Sequence, residues 1–255
     1  MRSQCKKEFP LNETFKNMID FEIVIPVYNE EAQVEKSVVK LREFLLENFK
    51  EKKWKITVAD NASIDKTPGI IKDVATKFTE ISYRRIEQKG RGRALKNAWG
   101  ESEAKIVAYM DVDLSTQIKH IPELIDSLEN SDFSIAIGSR LLSTSVIKRS
   151  LKREIVSRIY NSIIKLMYGT KFSDAQCGFK AVRKDVFEKL LPKIENNEWF
   201  FDSEMLILAE KMGYKIYEIP VSWIDDMGST VKIIPTAIED LQGLLRLCKE
   251  KPWLK

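Results

Sequence analysis

At 255 residues, with 44% hydrophobic and 31% charged side chains, the chain is one large domain or two small ones, with ample length for a buried core. A net charge of +4 is too small to argue for nucleic acid on its own, and three well-separated cysteines imply a reducing compartment rather than a disulfide framework. With a single histidine and no Cys-x-x-Cys pair, a zinc site is not expected.

No run approaches the roughly 18 apolar residues of a spanning helix. The N-terminal stretch Met1 to Lys7 also lacks the apolar core of a signal peptide, so a cytosolic location is expected. Residues 1–20 are polar and read as an arm. Phe21 to Val27 is an apolar strand closed by Pro26 and the polar Tyr28-Asn29-Glu30-Glu31. Val34, Val38, Leu41 and Leu45 recur at helical spacing. Trp54 to Asp60 forms a second strand, and Thr67-Pro68 opens a helix in the favoured cap-then-proline order. Ile81 to Ile86 is a third strand, Ala94 to Glu103 a helix, and Lys105 to Met110 a fourth strand. Pro122 to Asn130 is helical, and Phe133 to Ile137 is a fifth strand that closes on Gly138-Ser139-Arg140.

Strands alternating with helices over about 120 residues imply a parallel, doubly wound α/β sheet. Ligands of such sheets bind beyond the carboxyl ends of the strands. The polar clusters Tyr28–Glu31, Asp60–Asp65, Lys89–Arg93, Asp111–Ser115 and Arg140 all fall there. In the second half, Lys152 to Met167 reads as a helix marked by Ile155, Ile159, Ile163 and Leu166. Asp174 to Lys180 reads as a loop, Phe201 to Met212 as a helix, and Ile216 to Trp223 as short strands. Ile238, Leu241, Leu244, Leu245 and Cys248 stripe a last helix, a pattern that usually faces a core.

Five features carry chemistry. Asp111 and Asp113 lie one residue apart after an apolar strand; they suit one divalent cation against a diphosphate, or a simple turn. Lys89-Gly90-Arg91-Gly92-Arg93 precedes a helix, where glycines and the helix N-terminus admit an anion, although a solvated basic turn has the same composition. It matches neither the dinucleotide fingerprint nor a Walker A loop. Asp60 could meet a nucleobase or ribose, or cap a turn. Asp202 and Glu204 open a helix, where acids complement the dipole unless they face a cleft. Arg153 and Ser157, four apart, share a helix face that suits a phosphate or lies in solvent.

The order of Pro26-Val27-Tyr28-Asn29-Glu30-Glu31, Asp60-Asn61-Ala62-Ser63-Ile64-Asp65, Lys89-Gly90-Arg91-Gly92 and Asp111-Val112-Asp113 resembles family 2 glycosyltransferases with the GT-A fold. Gly138-Ser139-Arg140, Asp174-Ala175-Gln176-Cys177-Gly178-Phe179-Lys180 and Trp199-Phe200-Phe201-Asp202-Ser203-Glu204-Met205 narrow it to the dolichyl-phosphate β-glucosyltransferases and their archaeal relatives. The resemblance implies one GT-A domain over residues 21–255, with a mostly parallel sheet. Residues to about 140 would be the donor and metal half, the remainder the acceptor half.

By the same resemblance, Pro26, Tyr28, Glu30 and Asp60 hold uridine, and Lys89 and Arg91 lie near the donor diphosphate. Asp111, Val112 and Asp113 meet the donor, the two aspartates carrying Mg²⁺ or Mn²⁺. Arg140, Arg153 and Ser157 grip the acceptor phosphate, and Asp202 stands at the catalytic base position. Three departures stand out: Arg91 replaces the usual lysine, Ser115 a glutamine of mannosyl relatives, and Gly228-Ser229-Thr230 the common Gly-Ser-Lys, leaving Lys232 as the late cation.

The implied reaction moves glucose or N-acetylglucosamine from a UDP-sugar to dolichyl or polyprenyl phosphate with inversion. Asp202 is expected to orient rather than abstract, because a lipid phosphate is already largely dianionic. Lys148, Arg149, Lys152 and Arg153 ahead of an apolar helix fit peripheral docking on the cytosolic membrane face, in place of the anchor of eukaryotic relatives. A dolichyl-phosphate mannose synthase using GDP-mannose is the nearest alternative. A non-catalytic nucleotide- or RNA-binding module is the alternative from another class, although the aromatic interleaving of a stacking platform is missing and nucleic acid is not expected.

Overall fold

The computed structural model describes residues 18–129, 131–224 and 233–254. Most of the N-terminal arm, Gly228-Ser229-Thr230 and Lys232 lie outside the described residues. In β1 (Phe21–Val27), Phe21, Ile23, Ile25 and Val27 pack on one face of the sheet and Val24 on the other. Burial on both faces is why this strand reads as an unbroken apolar run. There follow α1 (Val34–Asn48), β2 (Trp54–Asn61), α2 (Thr67–Lys77), β3 (Ile81–Ile86), α3 (Arg91–Gly100), β4 (Ile106–Met110), α4 (Ile121–Glu129) and β5 (Ile135–Ser139). The second half contributes β6 (Val146–Lys148), α5 (Leu151–Tyr168), β7 (Phe179–Arg183), α6 (Lys184–Leu190), α7 (Phe201–Lys211), β8 (Ile216–Pro220), β9 (Ser222–Ile224) and α8 (Ile233–Glu250).

Seven strands form one sheet in the order β3-β2-β1-β4-β7-β5-β8, and β6 pairs with β9 in a small second sheet. Every neighbour pair in the large sheet is parallel except those of β7, which runs antiparallel to both β4 and β5. Strand order reverses direction between β1 and β4, creating the crevice that α/β sheets use for ligands.

Two expectations need correction. The Asp174–Lys180 loop ends at Gly178, and Phe179 begins a strand. A five-residue segment becomes β7 because the facing edges of β4 and β5 need a partner, which is information remote in sequence. The sheet is mostly parallel, as expected, with β7 as its antiparallel strand.

The final helix differs too. Leu244 and Leu247 pack inward, whereas Ile238, Leu241, Leu245 and Cys248 are exposed, Leu245 by 65%. The helical period identifies an amphipathic element but not which of two apolar stripes meets the core. Ile155, Ile159 and Leu166 of α5 likewise face outward.

Helices α1, α2 and α4 cover one face of the sheet, and α3, α5, α6, α7 and α8 the other. Trp99, fully buried under the second layer, stacks edge-on with Phe187 at 5.0 Å and donates its indole N–H to the Ala108 carbonyl at 3.2 Å. This anchors α3, and so Arg91 at its first turn, against β4.

Candidate active site

The strand ends are laced together by hydrogen bonds between their loops. The Asn29 amide donates to Ser63 Oγ at 2.9 Å, the Asn29 side chain accepts from the Ile64 amide at 2.9 Å, and Glu30 N donates to Thr67 Oγ1 at 2.8 Å. Asn29, Ala62 and Leu114, just beyond β1, β2 and β4, all hold positive φ angles (56°, 61° and 51°). Such backbone strain gathers where surrounding structure fixes a site. Pro26 and Tyr28 are half-buried at the end of β1, and Lys89 Nζ sits 3.8 Å above the Tyr28 ring. Asp60 is fully buried: its carboxylate accepts from the Ser63 amide (2.9 Å), Tyr83 Oη (2.7 Å) and Arg85 Nη1 (2.9 Å).

Gly90, at φ +149°, donates its amide to Asn61 Oδ1 at 2.7 Å, and a Cβ there would lie 2.5 Å from the Asn197 carbonyl. This close passage delivers Arg91 to the crevice. The helix begins at Arg91, three residues before the expected Ala94. The Arg91 guanidinium joins two carboxylates, donating from Nη2 to Asp111 Oδ1 at 2.8 Å and from Nη1 to Asp202 Oδ2 at 2.5 Å. It lies between the rings of Tyr109 and Trp199, at 4.9 and 5.0 Å. Asp111 remains 41% exposed, so it faces both solvent and the basic turn. Asp113 accepts from the Ser115 amide (2.8 Å) and hydroxyl (2.6 Å), an Asx arrangement that aims the turn after β4.

Asp202 sits deeper than its spacing suggested. Its Oδ1 accepts from Tyr109 Oη at 2.5 Å and pairs with Lys180 Nζ at 3.1 Å; Asp202 and Lys180 are both buried. Burial alone would raise the carboxyl's pKa, but the Lys180 and Arg91 charges and the Tyr109 hydrogen bond hold it below its ordinary value. Burial pushes the Tyr109 phenol in the other direction, well above its usual range. Glu204 takes no part: fully buried, it accepts from the amides of Glu195 (3.2 Å) and Asn196 (2.7 Å) and from Arg246 (2.5 Å).

On the acceptor side, Arg140 is held by Asp174, with Nε and Nη2 at 2.8 and 2.9 Å. Against the cost of burial, Arg140 draws the Asp174 carboxyl down to about 2. Ser157 is buried and its hydroxyl has no hydrogen-bond partner, the state of a group awaiting one. Arg153 is half-buried one turn earlier on the same helix. The expected site residues thus divide into a crevice group on the donor side and an α5 group, linked through Arg140 and the Asp174–Gly178 loop.

Lys180, Tyr109 and Trp199 were missed by sequence reasoning. A lysine within Phe179-Lys180-Ala181-Val182 was the available signal, since a cation inside an otherwise apolar strand must have a buried partner. Gly178 is needed for a different reason: a Cβ there would lie 1.7 Å from Asp111 Oδ2.

Asp111 and Asp113 supply hard oxygen donors suited to Mg²⁺ or Mn²⁺ if diphosphate oxygens complete the shell. Among the described residues no group of three or more His, Cys, Asp or Glu side chains forms a metal cage without such help.

Residues 22–191 match the family described as Glycosyl transferase family 2, and the chain belongs to that family. It is 34% identical over 206 residues to glycosyltransferase AglD of Haloferax volcanii, covering 80% of this chain but only 33% of that longer protein. It is 27% identical over 255 residues to the dolichyl-phosphate beta-glucosyltransferase of Dictyostelium discoideum, covering 94% of this chain and 78% of that one. The yeast Saccharomyces cerevisiae enzyme of the same name is 26% identical, with 88% and 72% covered. Glucosyl-3-phosphoglycerate synthase from Mycobacterium tuberculosis, solved with Mn²⁺, UDP and glucosyl-3-phosphoglycerate, superposes with a TM-score of 0.68 at 17% identity, covering 93% of this chain and 82% of that one. That likeness establishes the GT-A fold. The non-catalytic binding module gives way to a glycosyltransferase.

Proposed function

We propose that the protein transfers a hexose, glucose or N-acetylglucosamine, from a UDP-sugar to dolichyl or polyprenyl phosphate. The product is a β-linked lipid-phosphate sugar for glycan assembly such as N-glycosylation. The observation that carries this reading is Arg91, which ties the metal-type, part-exposed aspartate just after β4 to the buried acid of α7 at the switch point. The relatives named for dolichyl-phosphate glucosylation support the acceptor class.

In this reading Pro26, Tyr28, Glu30 and Asp60 cradle the uridine, and Lys89, Arg91 and the Val112 backbone flank the diphosphate. Asp111 and Asp113 would hold Mg²⁺ or Mn²⁺, whose charge would offset that of the departing nucleotide. Arg140, Arg153 and Ser157 position the acceptor phosphate. One of its oxygens bonds to the anomeric carbon as the bond to UDP breaks, and the electron pair leaves on the β-phosphate oxygen. The acceptor's second pKa is about 6, so at neutral pH it needs no base. Asp202, with its lowered pKa and three donors, orients Arg91 rather than removing a proton.

No helix among the described residues is long and apolar enough to cross a membrane. The outward stripes Ile155–Ile159 of α5 and Ile238–Leu241–Leu245 of α8, beside Lys152, Arg158 and Lys249, fit peripheral contact with an anionic bilayer on the cytosolic side. A donor panel of UDP-glucose, UDP-N-acetylglucosamine and GDP-mannose, with a short polyprenyl phosphate and with or without Mn²⁺, tests the proposal. Metal-dependent transfer from a UDP-sugar is expected. Transfer only from GDP-mannose, or only to a non-lipid acceptor, would overturn it.

A further inference from the structure

The loop after β5, strand β6 and the first turn of α5 enclose a cleft of about 610 Å³ on the flank of the acceptor half. Arg140, Arg149 and Arg158 line it, together with Leu142, Ile147 and Leu151. Neither Arg153 nor Ser157 reaches it. This cleft therefore has its own chemistry, with both cationic and aliphatic side chains in its lining.

Its charges are not balanced. Glu154 is the sole acid on the cleft wall among the described residues, and it serves two arginines: Arg149 Nε at 2.6 Å and Arg158 Nε at 2.5 Å. Asp174, behind the wall, neutralises Arg140. One positive charge is left in excess. The side chain of Arg149 is only 4% exposed, and its buried Nη2 touches Glu154 in an ion pair without making a hydrogen bond. A buried guanidinium nitrogen that meets its carboxylate in poor hydrogen-bond geometry keeps donor capacity that a further anion can take up.

The aliphatic side chains of the lining give that anion a second property. Leu151 lines the cleft and also begins the outward apolar stripe that continues through Ile155 and Ile159, so the cleft adjoins the exposed apolar face of α5. At its inner end, Arg140 connects through Asp174 to the loop whose Gly178 packs on Asp111. A ligand fitting both ends carries a phosphate and an aliphatic chain.

We propose that this cleft is the entry subsite for the lipid phosphate acceptor, with Arg149 and Arg158 taking its phosphate before it moves to Ser157, and with Glu154 as the resident anion it displaces. Leu142, Ile147 and Leu151 receive the first isoprene units. This rests on the acceptor class proposed above and adds residues and a route to it.

Steady-state kinetics with citronellyl phosphate and the active UDP-sugar test the subsite through two substitutions of opposite sign. Arg149→Gln is expected to raise the KM for the prenyl phosphate at least tenfold, leaving kcat and the KM for the donor within twofold. Glu154→Gln removes the competing carboxylate and is expected to lower the same KM about threefold. Calorimetry with citronellyl phosphate, citronellol, inorganic phosphate and phosphatidylglycerol vesicles separates the sources. Preference for the prenyl phosphate, lost in Arg149→Gln, supports the subsite. Equal loss of vesicle binding with an unchanged acceptor KM would make the cleft a phospholipid contact and overturn it, as would an Arg149→Gln enzyme with wild-type KM. If the wild-type protein transfers no sugar to prenyl phosphate, the functional proposal fails instead. The calorimetric comparison still judges the cleft, and Glu154→Gln does so should Arg149→Gln not fold.

Discussion

Asp202 illustrates how a carboxylate can sit at a reaction centre without being its base. Its stability contribution is in force above about pH 4 and is lost as pH falls through its depressed folded value. Asp202→Asn leaves the buried Lys180 without its counter-charge. It is expected to cost about 3 kcal/mol or more of unfolding free energy, the penalty for a stranded buried ion. Turnover of the folded fraction should stay within about tenfold, roughly 1.4 kcal/mol in barrier; complete loss in a folded variant would make Asp202 a base. Asp240 behaves in the opposite way. Burial, with the Glu239 and Asp202 charges nearby, pushes its pKa up to about 7, despite hydrogen bonds from Gln176 and Tyr160. The native state then keeps a proton that the unfolded chain releases near pH 4, so stability falls as pH rises from about 4 to 7 and levels off above. Asp240→Asn should flatten that slope, by up to about 1.4 kcal/mol per pH unit, in denaturant titrations at pH 5, 6 and 7.5.

Among elements, β7 repays close attention. Its Lys180 reaches Asp202, and the glycine just ahead of it gives Asp111 room to lie flat against the chain. Gly178→Ala would force the Asp111 side chain aside, at a cost of about 1–3 kcal/mol from overpacking. A retained fold with UDP affinity no longer responsive to Mn²⁺ is the expected outcome, read by calorimetry with and without metal. The first five strands were legible because alternation of apolar strands with amphipathic helices is a local signal. β7 was not, because its five residues take strand form only between two edges drawn from distant segments. The site followed the same division. Asp111, Arg91 and Asp202 stood in recognisable motifs, whereas Tyr109 looked like one more core aromatic and the outward stripe of α8 looked like core.

For the whole molecule, the outward stripes predict that Ile238→Glu with Leu245→Glu reduces sedimentation with anionic liposomes at low salt by severalfold and leaves the thermal midpoint within a few degrees, since both positions are exposed. Unchanged sedimentation would remove membrane contact from this face. Strand order carries a consequence for biosynthesis as well. About seventy residues separate the end of β4 from the start of β7. At ribosomal speeds of roughly 5–20 residues per second, the outer rim of β4 stays unpaired for several seconds in the nascent chain. Until Phe179–Arg183 emerges from the exit tunnel, that rim is open to strand exchange with a neighbouring polypeptide, as the β4-facing rim of β1 is until Ile106–Met110 emerges.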